Sequence, residues 1–151
     1  MSDNAKFGRI IVAFDGSKDS VKATKLACSL ASKHGSDVTV VHVFSSPTIG
    51  FSAASGMPIP DYSELEDAAK ETAQKVLSRG LRCASEAGVK ARGELIESPS
   101  VVEALVGLAS NEKADLIVVG TRGMTGFKKL ILGSVSSGLV SHSPCPVLVV
   151  R

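Results

Sequence analysis

The fold is decided by the stretch Asp115-Leu116-Ile117-Val118-Val119-Gly120, an apolar run between an acidic residue and a glycine. Such a run, rich in β-branched residues, is typical of a strand that is buried on both faces of a parallel sheet. A second run of this kind, Ile10-Ile11-Val12-Ala13-Phe14, ends in the turn residues Asp15-Gly16-Ser17. Both runs predict strands of a sheet that is covered on both faces.

Strand-like and helix-like segments alternate along the rest of the chain. The other predicted strands cover 38–44, 89–96 and 146–150, and helical patterns follow at 17–35, 62–87, 98–109 and 134–142. Ser98 is predicted to cap the third helix, with Pro99 at its first position. The order β-α-β-α-β-α-β-α-β predicts a parallel sheet with helices on both faces and right-handed crossovers. Ligands bind such sheets at the carboxyl ends of the strands, where the strand order reverses.

Composition and charge exclude several classes of protein. The chain has 151 residues, with 17 basic and 15 acidic side chains and a net charge of +2. We therefore expect one soluble domain, and neither nucleic acid nor a membrane as partner. Cys28, Cys83 and Cys145 lie too far apart for a disulfide framework or a zinc motif, which fits a reducing cytoplasm. We find no signal peptide and no apolar run that could span a bilayer.

The single predicted domain covers residues 1–151, with a flexible N-terminus over 1–8 and a long loop over 45–61. The prolines and glycines of 45–61 rule out a helix or strand there. A loop of this length is either a lid or binding segment, or a mobile surface excursion. The sequence does not separate these two interpretations.

The glycine-punctuated segment from Gly120 to Gly133 has the chemistry of a phosphate site. Glycines allow close approach to a ligand, and the first N–H groups of the helix that follows have no partners within the helix. Side chains that can add hydrogen bonds or positive charge are Ser134, Ser136, Ser137, Arg122, Lys128 and Lys129. The alternative is a glycine-rich turn in which Ser134 caps the helix. The P-loop, dinucleotide, nucleophile-elbow and HExxH motifs are absent, so the motifs give no support for a fast phosphotransferase or hydrolase.

The spacing Gly120-x-x-Gly123, nine residues, then Gly133-Ser134 resembles the nucleotide-binding signature of the universal stress protein family. Further segments that resemble the family in the same order are 10–17, 40–43, 114–120 and 143–150. The resemblance implies a Rossmann-like, adenine nucleotide alpha hydrolase-like domain. Its doubly wound parallel sheet would have five strands in the order 3-2-1-4-5, with the reversal between the first and fourth strands.

In function, the resemblance implies a cytoplasmic protein that binds ATP, AMP or another adenine nucleotide, with Mg²⁺ possible through the phosphates. It would act as a nucleotide-dependent sensor or interaction module in a stress response. A slow Mg²⁺-dependent ATPase, a binder of AMP or cyclic AMP, and a dimerisation domain that has lost its ligand are the alternatives.

The binding residues implied by the resemblance fall into three groups. Ala13, Phe14 and Asp15 would border adenine and ribose, Val43 would offer backbone groups to the adenine edge, and the residues around ribose and phosphates would be Gly120, Arg122, Gly123, Gly133, Ser134, Val135 and Ser136. The Asp15 carboxylate can accept hydrogen bonds from ribose hydroxyls, or it can cap the helix that begins near Ser17. His42 is expected to be a hydrogen-bonded packing residue rather than a catalyst. No catalytic or metal-ligating residue is predicted.

The apolar segment Val147–Val150 is predicted to be an interface. The order 3-2-1-4-5 places it at the edge of the sheet, where an unpaired backbone is often protected by a second copy. Similar proteins dimerise through this strand, so we expect a homodimer, together with a protein partner that the sequence does not identify.

Overall fold

The structure, a computed structural model, describes residues 7–46, 62–121 and 132–151. Within these ranges, strands and helices alternate in the predicted order. They are β1 (Arg9–Ala13), α1 (Lys18–His34), β2 (Asp37–Phe44), α2 (Ser63–Glu86), β3 (Arg92–Glu97), α3 (Val101–Glu112), β4 (Leu116–Gly120), α4 (Ser134–His142) and β5 (Val147–Val150).

All strand pairs are parallel, and the five-stranded sheet has the order β3-β2-β1-β4-β5. The predicted fold class and strand order are therefore confirmed. The reversal of strand order lies between β1 and β4, where Ile11 pairs with Ile117. The carboxyl ends of these two strands define the edge at which a doubly wound sheet binds its ligands.

The sheet separates two apolar cores. Because successive side chains of a strand point to opposite faces, Ile10 and Val12 enter one core and Ile11 enters the other. The first core is formed with α1 and α2 and contains Phe14, Ala23, Ala27, Cys28, Ala31 and Ala84. The second is formed with α3 and α4 and contains Leu105, Ala109, Ile117, Val119 and Leu139. Burial on both sides explains why β1 and β4 read as continuous apolar runs.

The ends of α1 agree with the sequence prediction. The Ser17 hydroxyl accepts a hydrogen bond from the N–H of Ser20 at 3.2 Å, which caps the helix. Gly35 ends the helix in the left-handed conformation, with φ of 66°.

The predicted start of the third helix is wrong. Ser100, not Ser98, caps α3, and its hydroxyl accepts from the N–H of Glu103 at 3.2 Å. Ser100 has an extended backbone, with φ of −125° and ψ of 114°, so Pro99 lies outside the helix. The Ser98 hydroxyl instead accepts from the N–H of Ser100 at 3.2 Å within the preceding turn.

β3 begins later than predicted, at Arg92 rather than Val89. The N–H of Val89 donates to the carbonyl of Ala84 at 3.0 Å and thereby helps to close the end of α2. Its backbone group is therefore used by the helix and not by the sheet.

The N-terminal residues that can be described are bound to the domain. Of the expected flexible segment 1–8, residues 1–6 lie outside the described ranges, as does 47–61 of the expected loop. The N–H of Gly8 donates to Asp115 Oδ2 at 2.9 Å. The Phe7 ring packs edge-on against His34, with 5.6 Å between ring centroids.

Gly80 gives a test of the packing between α2 and the sheet. A Cβ atom at Gly80 would lie 2.9 Å from the Phe14 ring and 2.9 Å from Val40 Cγ1, whereas at Gly107 in α3 it would meet nothing within 4 Å. Alanine gains about 0.5–1 kcal/mol over glycine in a helix interior. Overpacking a core costs about 1–3 kcal/mol.

We therefore expect Gly107→Ala to raise the free energy of unfolding and Gly80→Ala to lower it by about 1 kcal/mol or more. Equilibrium unfolding in urea measures both. Equal shifts of the two urea midpoints in the same direction would contradict the close contact at Gly80.

Candidate functional site

β2 holds the end of β1 at the carboxyl edge of the sheet. The N–H of Phe14 donates to the carbonyl of Val41 at 2.8 Å. His42 Nδ1 lies 2.8 Å from the carbonyl of Phe14. Because a carbonyl can only accept, Nδ1 must carry the proton and donate. Two bonds from β2 therefore fix the residue that precedes the turn at Asp15.

Phe14 can border a ligand only through its backbone. Its side chain is 2% exposed and lies in the first core, against Gly80. Ala13, the last residue of β1, is partly buried against the second core. The role predicted for both residues thus reduces to their backbone groups and to the small surface of Ala13.

Asp15 does not cap α1, since Ser17 is its N-cap, but the Asp15 carboxylate holds the turn that precedes the helix. Its Oδ1 accepts a hydrogen bond from the N–H of Ser17 at 2.9 Å, across Gly16, which has φ of 85°. Asp15 Oδ2 has no hydrogen-bond partner among the described residues. A carboxylate accepts through both oxygens, so the oxygen that does not hold the turn remains able to bind a ligand.

Val43 presents its backbone toward the same edge. In β2 the carbonyl of Val41 points toward β1, where it binds the N–H of Phe14. Backbone groups two residues apart in a strand point the same way. Val43 therefore directs its N–H and carbonyl to the β1 side, beyond the end of β1. Its side chain packs against the second core.

The end of β4 lies directly against the first turn of α1. A Cβ atom at Gly120 would be 2.7 Å from Asp19 Cβ and 2.9 Å from the carbonyl carbon of Asp19. Only glycine allows this approach of helix and strand. The absence of a side chain at Gly120 therefore has a structural reason, independent of any ligand.

Thr121, the next residue, connects β4 to three neighbouring elements. Its N–H donates to the carbonyl of Val150 in β5 at 2.8 Å. Its hydroxyl lies 3.1 Å from Asp19 Oδ2 and 3.0 Å from the carbonyl of Val150. Its carbonyl accepts from the N–H of Gly133 at 2.7 Å and lies 3.0 Å from the hydroxyl of Ser136 in α4.

These bonds close the base of the glycine loop, because Thr121 and Gly133 lie at its two ends. Arg122 and Gly123 lie outside the described residues, as do Lys128 and Lys129. Ser136 is 1% exposed, and its hydroxyl is directed at carbonyls of the protein itself. Of the polar groups of Ser136, only the backbone N–H is left to contact a ligand at the start of α4.

The start of α4 differs from the starts of α1 and α3. Its N-cap residue is Gly133, with φ of −71° and ψ of 169°, and no side chain of the described residues caps the helix. Ser134 is the first helical residue and is exposed, so the alternative in which Ser134 caps this helix is wrong. Within the described part of the chain, the N–H groups of Ser134, Val135 and Ser136 have no capping side chain, and such a helix start attracts an anion.

Cys28 and Cys83 are free cysteines that are buried. Burial raises the pKa of Cys28, and the neighbouring Cys83 raises it further. Burial also raises the pKa of Cys83, more than Lys25 lowers it.

In the described residues, no cluster of histidine, cysteine and carboxylate side chains has the geometry of a metal site. None of the described helices is long and apolar enough to cross a bilayer.

The structure thus brings most of the predicted residues to one edge. Those that it describes there are Ala13, Phe14, Asp15, Val43, Gly120, Gly133, Ser134, Val135 and Ser136. Sequence reasoning missed Asp19 and Thr121, which join α1 to β4. The one signal for them is position, since Asp19 is acidic in a first helical turn and Thr121 directly follows a buried strand.

Comparison with known proteins gives a consistent result. Residues 6–151 match the sequence profile described as the Universal stress protein family. A universal stress protein of Methanocaldococcus jannaschii is 34% identical over 146 residues, covering 96% of this chain and 82% of that protein. One from Thermus aquaticus is 36% identical over 149 residues, covering 96% of this chain and 99% of that protein.

Solved structures of similar fold include some with nucleotides. The universal stress protein UspA from Lactobacillus plantarum superposes with a TM-score of 0.79 at 25% identity, over 98% of this chain and 100% of that one. Two further structures are below 25% identical, so their similarity shows the fold alone. The first is a universal stress protein in complex with cAMP, with a TM-score of 0.68 at 24% identity over 97% of this chain and 98% of that one. Another, from Arabidopsis thaliana with AMP bound, has a TM-score of 0.65 at 17% identity over 95% of this chain and 90% of that one.

Ser136 and Ser137 allow a test of the bonds at the base of the loop. Ser136 is buried and bonded, whereas Ser137 is exposed on the same helix. We expect Ser136→Ala to lower the free energy of unfolding by about 1 kcal/mol, since it removes a buried hydroxyl bonded to the carbonyls of Thr121 and Gly133. We expect Ser137→Ala to change it by less than about 0.5 kcal/mol. Urea unfolding that gives the same value for both variants would contradict this role of Ser136.

Proposed function

Because this chain belongs to the universal stress protein family, we propose that it binds an adenine nucleotide, in the first place ATP, at the carboxyl edge of its sheet. The observation that carries the proposal is the start of α4 at Gly133, at the reversal between β1 and β4, which no described side chain caps. Free N–H groups and the helix dipole there attract a phosphate group.

The proposed nucleotide lies along the edge from β2 to α4. The adenine ring meets the backbone of Val43 and borders Ala13 and Phe14, and the free oxygen of Asp15 accepts from a ribose hydroxyl. The phosphates bind the N–H groups from Ser134 to Ser136. Gly120 and the loop residues Arg122 and Gly123 complete the site. Mg²⁺ would be held through the phosphates.

AMP and cyclic AMP are the second candidate ligands. They are favoured by the nucleotides in two of the solved structures of similar fold, which are AMP and cAMP. One helix start with three open N–H groups is sufficient for a single phosphate. For the biological role, we propose a cytoplasmic sensor or interaction module in a stress response. Slow turnover of ATP, lost in Asp15→Ala, would point instead to an ATPase.

Thermal unfolding with added ligands tests nucleotide binding. A ligand that binds only the folded state stabilises it by RT ln(1 + [L]/Kd), which is about 2.7 kcal/mol at a hundredfold excess over Kd. We expect such a shift with Mg²⁺ and ATP, and little shift with NAD. An AMP or cyclic AMP shift as large as that of ATP would favour the second candidate. No shift with any adenine nucleotide, in protein that carries none from purification, would overturn the proposal.

Gly133→Asp tests the placement of the phosphates in the same experiment. The φ and ψ angles of Gly133 are those of extended backbone, which any residue adopts. An aspartate there would cap α4 while placing negative charge at the proposed phosphate position. We expect ATP affinity to fall at least about tenfold, a change of about 1.4 kcal/mol, with adenosine affinity retained. Gly133→Asn is the uncharged control and should weaken ATP less. Normal ATP binding by Gly133→Asp would show that the phosphates bind elsewhere.

We also propose that β5 pairs with β5 of a second copy. The carbonyls of Pro146 and Val150 accept from β4, at 3.0 Å from Ile117 N and 2.8 Å from Thr121 N. In a strand, backbone groups alternate in direction, so those of Val147 and Val149 point away from β4. These outward groups form the open edge of the sheet at β5.

A proline at position 149 tests this interface. Val149→Pro removes an outward N–H and leaves the ladder to β4 in place. We expect light scattering at micromolar concentration to show a dimer for the wild type and a monomer for Val149→Pro. Leu65→Ser, at an exposed apolar position of α2, should remain dimeric. A monomeric wild type would remove this proposal.

A further inference from the structure

A second cleft lies at the opposite end of the strands from the nucleotide edge. It has a volume of about 470 Å³ and is bounded by the first residues of β1, β2 and β3 and by the end of α3. Clefts that bind small molecules have volumes of about 300–1,000 Å³. The cleft is therefore large enough for a metabolite, and the nucleotide site makes no use of it.

Strand register explains why charged side chains meet there. Arg9 pairs with Asp37 in neighbouring strands, and Thr39 pairs with both Ile11 and Arg92. Alternate residues of a strand share a face, so these side chains project from the same side of the sheet. This is the side covered by α3, which ends at Glu112. Ile11 and Thr39 are buried and form the floor, and the charged residues form the rim.

Glu112 holds two arginines of the rim in position. Arg9 Nη1 donates to the backbone carbonyl of Glu112 at 2.6 Å. Arg92 Nη2 forms an ion pair with the carboxylate of the same residue. A guanidinium has five N–H donors in a planar fork, so both groups retain donors for a ligand. Because their positions are already restrained, binding costs less side-chain entropy.

The remaining charges indicate the kind of ligand. Lys90 and Asp37 also line the cleft, and neither side chain has a hydrogen-bond or ion-pair partner among the described residues. Arg92 is ion-paired with Glu112 and, at 3.9 Å, with Glu94. Arg9 and Lys90 have no carboxylate partner among the described residues and outnumber Asp37, so the cleft favours an anion. Asp37 lowers the preference for a highly charged anion and offers an acceptor to a ligand hydroxyl or amino group.

We propose that this cleft binds a small metabolite that carries a carboxylate or phosphate group beside a hydroxyl or amino group. The oxyanion would bind the forks of Arg9 and Arg92 and the ammonium of Lys90. Its neighbouring donor would bind Asp37. Arginine forks match both carboxylate and phosphate oxygens, so the structure gives the shared chemistry and the experiment separates the two.

The test is a titration of the chain of residues 1–151, followed by ¹H–¹⁵N NMR with saturating ATP present. The probes are glycerol 3-phosphate and malate, with glycerol as the uncharged arm. We expect saturable shifts of the amides of Arg9 and Val38 with one or both anions, and none with glycerol. The amides of Ser134 and Val135, which report on the nucleotide edge, should not follow the probe. Because different amides report on the two sites, a lack of ATP binding can be distinguished from a lack of probe binding in the cleft.

Matched variants show whether the cleft itself binds the probe. We expect Arg92→Gln to raise Kd at least about tenfold, because a hydrogen bond to a charged group is lost. Lys90→Gln, which leaves the Glu112 contacts intact, should also raise Kd. Arg82→Gln, an equal change of charge at an exposed position on α2, should not. No saturable shift, shifts only at Ser134 and Val135, or equal weakening by Arg82→Gln would overturn the proposal.

Discussion

The contact between the first turn of α1 and the last residue of β4 is the constraint on which the carboxyl edge depends. Gly120 has no side chain, and a Cβ atom there would overlap Asp19, with 2.7 Å between the two Cβ positions. The approach brings the Asp19 carboxylate to the hydroxyl of Thr121, at 3.1 Å. A larger residue at 120 would push α1 away from β4 and open the core beneath Val12 and Val118. The close contact of α1 with β4 thus determines how these elements are arranged at the reversal of strand order.

The same edge shows how fold and ligand share a limited set of polar groups. The fold uses the hydroxyls of Ser17 and Ser136 and one oxygen of Asp15. Among the described residues, the groups that it leaves unused are the N–H groups at the start of α4, the second oxygen of Asp15 and the backbone of Val43. The choice of Gly133 rather than serine as N-cap costs the helix only about a few tenths of a kcal/mol. A small loss of helix stability thus leaves the first N–H groups of α4 without a side-chain cap among the described residues.

The sequence predicted the parts of this molecule that depend on local pattern. The apolar runs predicted β1 and β4, and Ser17 and Gly35 predicted the ends of α1. The start of α3 was predicted wrongly because Ser98 and Ser100 are both able to cap a helix. The choice between them depends on the backbone at Ser100, which local composition does not determine. The contact of Thr121 with Asp19 joins residues 102 positions apart, and no motif marks it.

The same topology gives the amino ends of the strands the opposite partial charge from the helix dipoles. In a parallel sheet with helical crossovers, helices begin near the carboxyl ends of the strands and end near the amino ends. Helix C-termini carry free carbonyls and partial negative charge, so basic residues at that edge have a reason to be there as caps. Arg9 serves this role at the carbonyl of Glu112. Capping does not account for Lys90, whose charge lies in the same cleft without a partner among the described residues. Positive charge beyond what the helix end requires is the reason to regard the cleft as a binding site rather than as the end of a helix.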